Sequence, residues 1–130
     1  MNSNRAEYAA ELRRAHGCNC CQAVAVALAD ETKLPEELIK QIASGFGGGM
    51  GTTEATCGAL VGAGIIAGLK DEGVATLKDT RQILNEFKKL SGAVICKELK
   101  GIETGKVLCA CEDCVKNAVH AYETVMAQKQ

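Results

Sequence analysis

Eight cysteines stand in this chain of 130 residues, and they are the side chains best equipped to do chemistry. A thiolate attacks disulfides and binds soft metals. They fall in four places: Cys18, Cys20 and Cys21; Cys57; Cys96; and Cys109, Cys111 and Cys114. Thiols arriving from four separate elements are what a four-ligand site needs, and sulfur suits an Fe–S cluster, Zn or Cu(I). The local spacings are C-x-C-C and C-x-C-x2-C, which match neither a zinc ribbon nor a ferredoxin run. Spacing therefore points to a metal or redox site without saying which. Thiol–disulfide exchange needs only a thiolate and a nearby second sulfur, so it stands beside the metal readings. Packing as small hydrophobes accounts for one or two of the eight, not for clusters with polar neighbours.

Cys57 has the best-marked setting. It follows Phe46-Gly-Gly-Gly-Met50-Gly-Thr-Thr-Glu-Ala-Thr, with four glycines in the five positions 47–51. Such a run marks a shaped loop, because glycine accepts positive φ and close approach. Thr52, Thr53 or Thr56 is placed to cap the following helix, with Glu54 in its first turn. A thiol at that helix start feels unpaired N–H groups and the positive end of the dipole, which favour thiolate. Without a metal, Cys57 is thus the expected redox-active thiolate, with Cys20, Cys96 or Cys111 as resolving partner. The loop lacks the Gly-Lys-Ser/Thr of a P-loop and no strand precedes it, so no nucleotide motif is present. His16, two residues from Cys18, suits a helix C-terminus better than a ligand role. His120 lies one residue past an apolar stripe and reads as solvated.

The elements that must position these thiols read as helices throughout. Asn4 with Glu7 resembles a capping box, and Tyr8, Leu12 and Ala15 form a stripe ending near His16-Gly17. A second helix, with Asn19 as a candidate cap, runs to about Glu31. Pro35 with Glu36 and Glu37 starts a third, turning Leu38, Ile42 and Phe46 inward. The central helix carries Gly58, Gly62, Gly64 and Gly68. Each interior glycine costs roughly 1 kcal/mol against alanine, so close approach of another helix is expected to compensate. That approach could come from a second chain, giving a possible homodimer. Thr76 to Asp79 opens another helix, with Ile83, Leu84, Phe87 and Leu90 on one side and Gly92 as its stop. Cys96 to Gly101 reads as one or two turns. Cys109 to Cys114 leads into a last helix, with Val115, Ala118, Val119, Tyr122, Val125 and Met126 on one face. No segment alternates with period two, so the fold class is all-α, a single-domain bundle of about six helices over residues 1–130.

Composition narrows the function classes. Hydrophobic residues make up 47% and aromatics 3%, with no Trp, so the core is aliphatic and its helices closely spaced. A formal net charge of −1 gives no basic footprint for nucleic acid. The uncharged run Ala55–Leu69 is 15 residues, short of the roughly 20 a bilayer span takes. Met1 to Tyr8 holds no apolar signal segment, so a cytoplasmic location is expected, where stable disulfides are rare. No pair of carboxylates stands out as acid and base, which leaves enzymatic activity open.

In Cys57-Gly-Ala-Leu-Val-Gly62, preceded by Phe46-Gly-Gly-Gly49, the sequence resembles the C_GCAxxG_C_C family of small redox-active proteins. Asn19-Cys20-Cys21-Gln22-Ala23-Val24 is similar to the setting of the family's first cysteine, and Cys96-Lys-Glu-Leu-Lys-Gly101 to its third. The fourth precedes an apolar last helix, as Cys111 does, although Cys109 or Cys114 also suits that register. The resemblance runs from about Tyr8 to Val125. It implies a redox role for the quartet Cys20, Cys57, Cys96 and Cys111, as cluster or metal ligands or as thiols, with a redox partner protein of unknown identity. A related domain accompanies haem in a split-Soret cytochrome with an iron–sulfur site, which favours an Fe–S cluster and electron transfer. Cys18, Cys21, Cys109 and Cys114 are additions to the quartet, and Cys18-x2-Cys21 has chelating or redox spacing.

Overall fold

A computed structural model describes residues 4–129; of the chain start read above, Met1–Ser3 lie outside the described residues. The helices are α1 (Asn4–Ala15), α2 (Cys20–Ala27), α3 (Glu36–Ile42), α4 (Gly58–Asp71), α5 (Thr76–Ser91), α6 (Cys96–Lys100) and α7 (Cys111–Gln128). The protein is all-α as expected, with the short α6 completing the set. Among the described residues the only extended pairing is an isolated bridge between Thr56 and Ile95. No helix among them is long and apolar enough to cross a membrane.

Helix α4 lies at the centre against α2, α5 and α7, and α7 also packs on α1 and α2. The glycines of α4 divide into two kinds. A Cβ on Gly62 would stand 2.7 Å from the Cys21 carbonyl oxygen, and one on Gly58 would stand 2.6 Å from the Phe46 oxygen. Here the main chains of α2 and the glycine loop press directly on α4, the close approach that compensates for the missing side chains. Gly64 and Gly68 instead meet Thr80 and Thr76 of α5 at ordinary distances of 3.6 and 3.4 Å. They have room to spare.

The apolar stripe of α7 is as read: Val115, Ala118, Val119, Tyr122, Val125 and Met126 are all buried. Gly92 stops α5 with φ 93°, and Ile83 and Phe87 of that helix are fully buried, whereas Leu90 is exposed. Helix α3 follows Pro35, but its register differs by one position from the expected stripe. Ile39 and Ala43 are fully buried while Leu38 and Ile42 are about 40% and 39% exposed, because α3 meets α2 along its Ile39–Ala43 edge. In α1 the buried edge is alanine: Ala6, Ala9 and Ala10 join Leu12 in the core, leaving Tyr8 exposed. Helix α2 ends at Ala27 rather than Glu31, and a tight turn at Ala29–Glu31 follows. Thr32 closes that turn by donating its hydroxyl to the Ala29 oxygen, and the Glu31 carboxylate is drawn off to Lys70 and Tyr122. Thr76 is the first residue inside α5, not its cap, and Asp79 is buried in an ion pair with Lys129.

Candidate functional site

Five local structures bring sulfur to one place. The first is the start of α2, which Asn19 caps in a reciprocal box with Gln22: Gln22 N–H donates to Asn19 Oδ1 and Asn19 N–H to Gln22 Oε1. This fixes Cys20 in the first turn, as expected of a capping residue. The Asn19 amide also donates to the Ser44 oxygen at 3.1 Å, and its side chain fills the space a Cβ on Gly47 would need. The glycine loop is thereby stitched to α2.

The loop itself is the second. Gly48, Gly49, Met50 and Gly51 all take positive φ, folding one wide turn over Gly49–Thr53. The turn points the Gly48 N–H at Cys20 Sγ, 3.4 Å away. It also moves the expected helix start. Thr52 and Thr53 donate their hydroxyls to loop carbonyls, Glu54 lies before the helix, and the N-cap is Cys57 itself.

The third is the bridge at Thr56 and Ile95. Cys57 N–H donates to the Val94 oxygen at 2.7 Å and Cys96 N–H to the Ala55 oxygen at 3.0 Å. Two short main-chain bonds thus hold the α4 and α6 cysteines side by side. The fourth is the segment after α6, where the amides of Leu108 and Cys109 both donate to the Leu99 oxygen. That places Cys109 beside α6. The fifth is the first turn of α7, which begins at Cys111 rather than after Cys114 and carries both thiols inward.

The result is a small pocket of about 10 Å³ lined by Cys20, Cys57, Cys96, Cys109, Cys111 and Cys114 with Leu99 and Lys100. Thiols fill the space that a single water would just occupy. The four cysteines singled out as the quartet all reach it, and two of the additions join them. Cys18 and Cys21 do not. Cys18 lines a separate groove with Tyr8, His16 and Lys40, and Cys21 is fully buried behind α2, its pKa pushed up to about 12 by burial and the Cys57 charge. Cys18 and Cys21 thus lie outside the pocket that the other six cysteines line.

Within the pocket the sulfurs are coupled in pairs. The Cys20 thiol donates to Cys111, which raises Cys20 and lowers Cys111 to about 5. Arg13 of α1 also lowers Cys111, its Nε donating to Cys111 Sγ at 3.4 Å. Cys114 Sγ donates to the Cys109 oxygen at 3.5 Å; its contact with Cys57 raises Cys114 and lowers Cys57, and the Ala59 and Leu60 amides at the α4 N-terminus lower Cys57 further. This is the helix-start effect the sequence promised. Cys96 is raised by burial, with Lys100 acting against it. Asn117 Nδ2 donates to Cys109 Sγ at 3.6 Å and to Ser91 Oγ. Of the eight thiols only Cys111 is not buried.

Arg13, Gly58 and Asn117 are site residues that sequence reading missed. Arg13 and Cys111 are 98 positions apart, and nothing in either neighbourhood signals the other. Gly58 was read as packing, yet a Cβ there would lie 2.7 Å from Cys20 Sγ, so it makes the seat for that sulfur. The donor set is soft sulfur, which fits an Fe–S cluster, Zn or Cu(I) in kind. Among the described residues no three His, Cys, Asp or Glu side chains are grouped to hold one metal ion.

A family model described as "Putative redox-active protein (C_GCAxxG_C_C)" matches residues 18–125. No curated protein matches the chain, and no solved structure does.

Proposed function

The chain belongs to the C_GCAxxG_C_C family of redox-active proteins, and on that premise we propose that it carries electrons by thiol–disulfide exchange, with Cys111 and Cys20 as the working pair. The observation that supports this most directly is that the one accessible thiol of the pocket is also the one whose pKa is lowered to about 5. The sequence alone favoured Cys57 for that task. Cys57 is polarised as expected but only 5% exposed, so a partner's disulfide meets Cys111 first.

The reaction balances within the pair and its partner. Cys111 thiolate attacks one sulfur of the partner disulfide, forming a mixed disulfide and releasing one partner thiolate. Cys20, whose thiol already points at Cys111, then attacks Cys111 Sγ and releases the second partner sulfur, which leaves with the Cys20 proton. One thiolate and one thiol of the chain become a disulfide, and the partner disulfide becomes one thiolate and one thiol. Run backwards, the same steps reduce the chain.

A second reading rests on the convergence of Cys20, Cys57, Cys96 and Cys111 from four elements on one pocket. A cluster held by these four thiolates would supply one-electron transfer. Cys109 and Cys114 are then spare donors. Arg13, Lys100 and the Gly48 amide would offset the negative charge of the sulfurs.

Anaerobic purification with metal and sulfide analysis separates the two. Colourless, metal-free protein is expected, whose Cys111 and Cys20 form a disulfide on titration with oxidised glutathione, and in which Cys111→Ser abolishes that disulfide. Iron with equivalent acid-labile sulfide, lost on mutation of Cys20 or Cys57, would replace exchange by the cluster reading. Stoichiometric zinc without iron would make the chain a binding module.

A further inference from the structure

Cys57 and Cys114 are unemployed by the exchange just described, yet they are not placed as inert filler. Both are at least 95% buried; the Cys57 sulfur lies against Cys114 and the Ala59 and Leu60 amides, and Cys114 Sγ donates to the Cys109 oxygen at 3.5 Å. No partner disulfide can reach them directly. Cys20 can. Its sulfur rests on Gly58, the residue after Cys57, in the space a Cβ would take, and both pairs open on the same pocket of about 10 Å³. Cys96, Leu99, Lys100 and Cys109 complete the lining of the pocket that the two pairs share.

We infer that the pocket is a two-stage relay, in which a disulfide made at Cys20 and Cys111 is handed inward to Cys57 and Cys114. The inference rests on the exchange reading above, since the partner's disulfide is the oxidant. Cys57 thiolate attacks Cys20 Sγ of the Cys20–Cys111 disulfide, forming a Cys57–Cys20 bond and releasing Cys111 as thiolate. Cys114 then attacks Cys57 Sγ, closing the inner disulfide and releasing Cys20, which takes up the Cys114 proton. The outer pair is again one thiol and one thiolate, ready for a second partner disulfide. One chain thereby stores two disulfides instead of one, with the inner one shielded from small-molecule reductants.

The test titrates the fully reduced full-length chain with oxidised glutathione under argon, with acid quenching, alkylation and peptide mapping of the disulfides. The relay is expected to consume two equivalents and to place the inner disulfide between Cys57 and Cys114. In Cys111→Ser that inner disulfide should form about tenfold or more slowly, because access controls exchange rates. A wild-type chain that stops after one equivalent, with only Cys20–Cys111 linked, overturns the relay and leaves the exchange reading standing. So does inner-disulfide formation in Cys111→Ser at the wild-type rate. Consumption of no equivalents overturns both. Should Cys111→Ser not fold, the wild-type count and map decide alone.

Discussion

Cys111 and Cys57 occupy similar places in two regions of the molecule. Each stands at the start of a long helix, each lies against a second thiol, and each has its pKa lowered by that contact. They differ in what else surrounds them. At Cys111 a charged side chain, Arg13, approaches from α1 and the sulfur is half-buried. At Cys57 the additional donors are main-chain amides of its own helix and the sulfur is buried. The same local device thus yields an outward-facing nucleophile in one region and an enclosed one in the other. What separates them is burial: the Cys57 amide is tied to the Val94 oxygen beside α6 and its side chain is 5% exposed, whereas Cys111 is half-buried.

The comparison breaks most sharply under alkylation. At neutral pH iodoacetamide should label Cys111 on the order of 100-fold faster than Cys57 or Cys114, since reactivity follows thiolate character and exposure. Quantitative mass spectrometry of each peptide measures this, and equal rates would abolish the distinction. Labelling of Cys111 should rise through pH about 5, where an ordinary thiol waits until roughly 8.5.

Next in size is the seat of Cys20. Gly58→Ala should cost about 1–3 kcal/mol by urea unfolding, because the new methyl meets backbone and sulfur that cannot both yield. Gly64→Ala, with space at 3.6 Å, should instead gain about 0.5–1 kcal/mol from the lost chain entropy and better helix propensity. Equal effects from the two would remove the distinction between the α2 and α5 faces of α4.

Removing the charge that marks the outer region comes third. Arg13→Gln should raise the Cys111 pKa by roughly one unit, about 1.4 kcal/mol, and slow its labelling at pH 5 severalfold while leaving Cys57 unchanged. Stability should carry the same sign. A depressed thiol pKa stabilises the fold most above the ordinary thiol range and loses that contribution as pH falls toward about 5. Cys20, raised, stays protonated in the fold, so its contribution falls only as pH nears the ordinary thiol range, where the unfolded thiol ionises. Urea unfolding should therefore show wild type gaining on Cys111→Ser as pH rises from about 5 to about 8.5. The smallest effect belongs to Arg14, whose pairing with Glu112 is exposed on both sides. Arg14→Ala should stay within about 0.5 kcal/mol and leave Cys111 labelling unaltered.

Much of this was legible in the sequence because it is local. The Asn19 cap, the αL stop at Gly92, the α7 stripe and the amide donors at Cys57 all depend on residues within a few positions of one another, whereas the Cys114 contact that does most to lower Cys57 does not. The resemblance of motifs added the quartet, and all four of its cysteines line the pocket. What was not legible depends on approach from elsewhere. The α3 stripe was read through Leu38, Ile42 and Phe46, whereas packing on α2 buries Ile39 and Ala43 instead. Capping of α4 passed from the threonines to Cys57 because Val94 claims the Cys57 amide. Which helix-start thiol faces solvent was set by Arg13 and the glycine loop, neither of which a periodicity reports.

The main-chain contacts of α4, with α2 at Gly62 and with the glycine loop at Gly58, also bear on how the molecule answers hydrostatic pressure. Pressure unfolds proteins chiefly by eliminating internal voids, with volume changes that scale with the space lost. Two central helices that touch backbone to backbone, around a sulfur pocket of about 10 Å³, offer little such space. The interior is accordingly one that compression scarcely disturbs, and the distance between its two sulfur pairs is held by incompressible main chain.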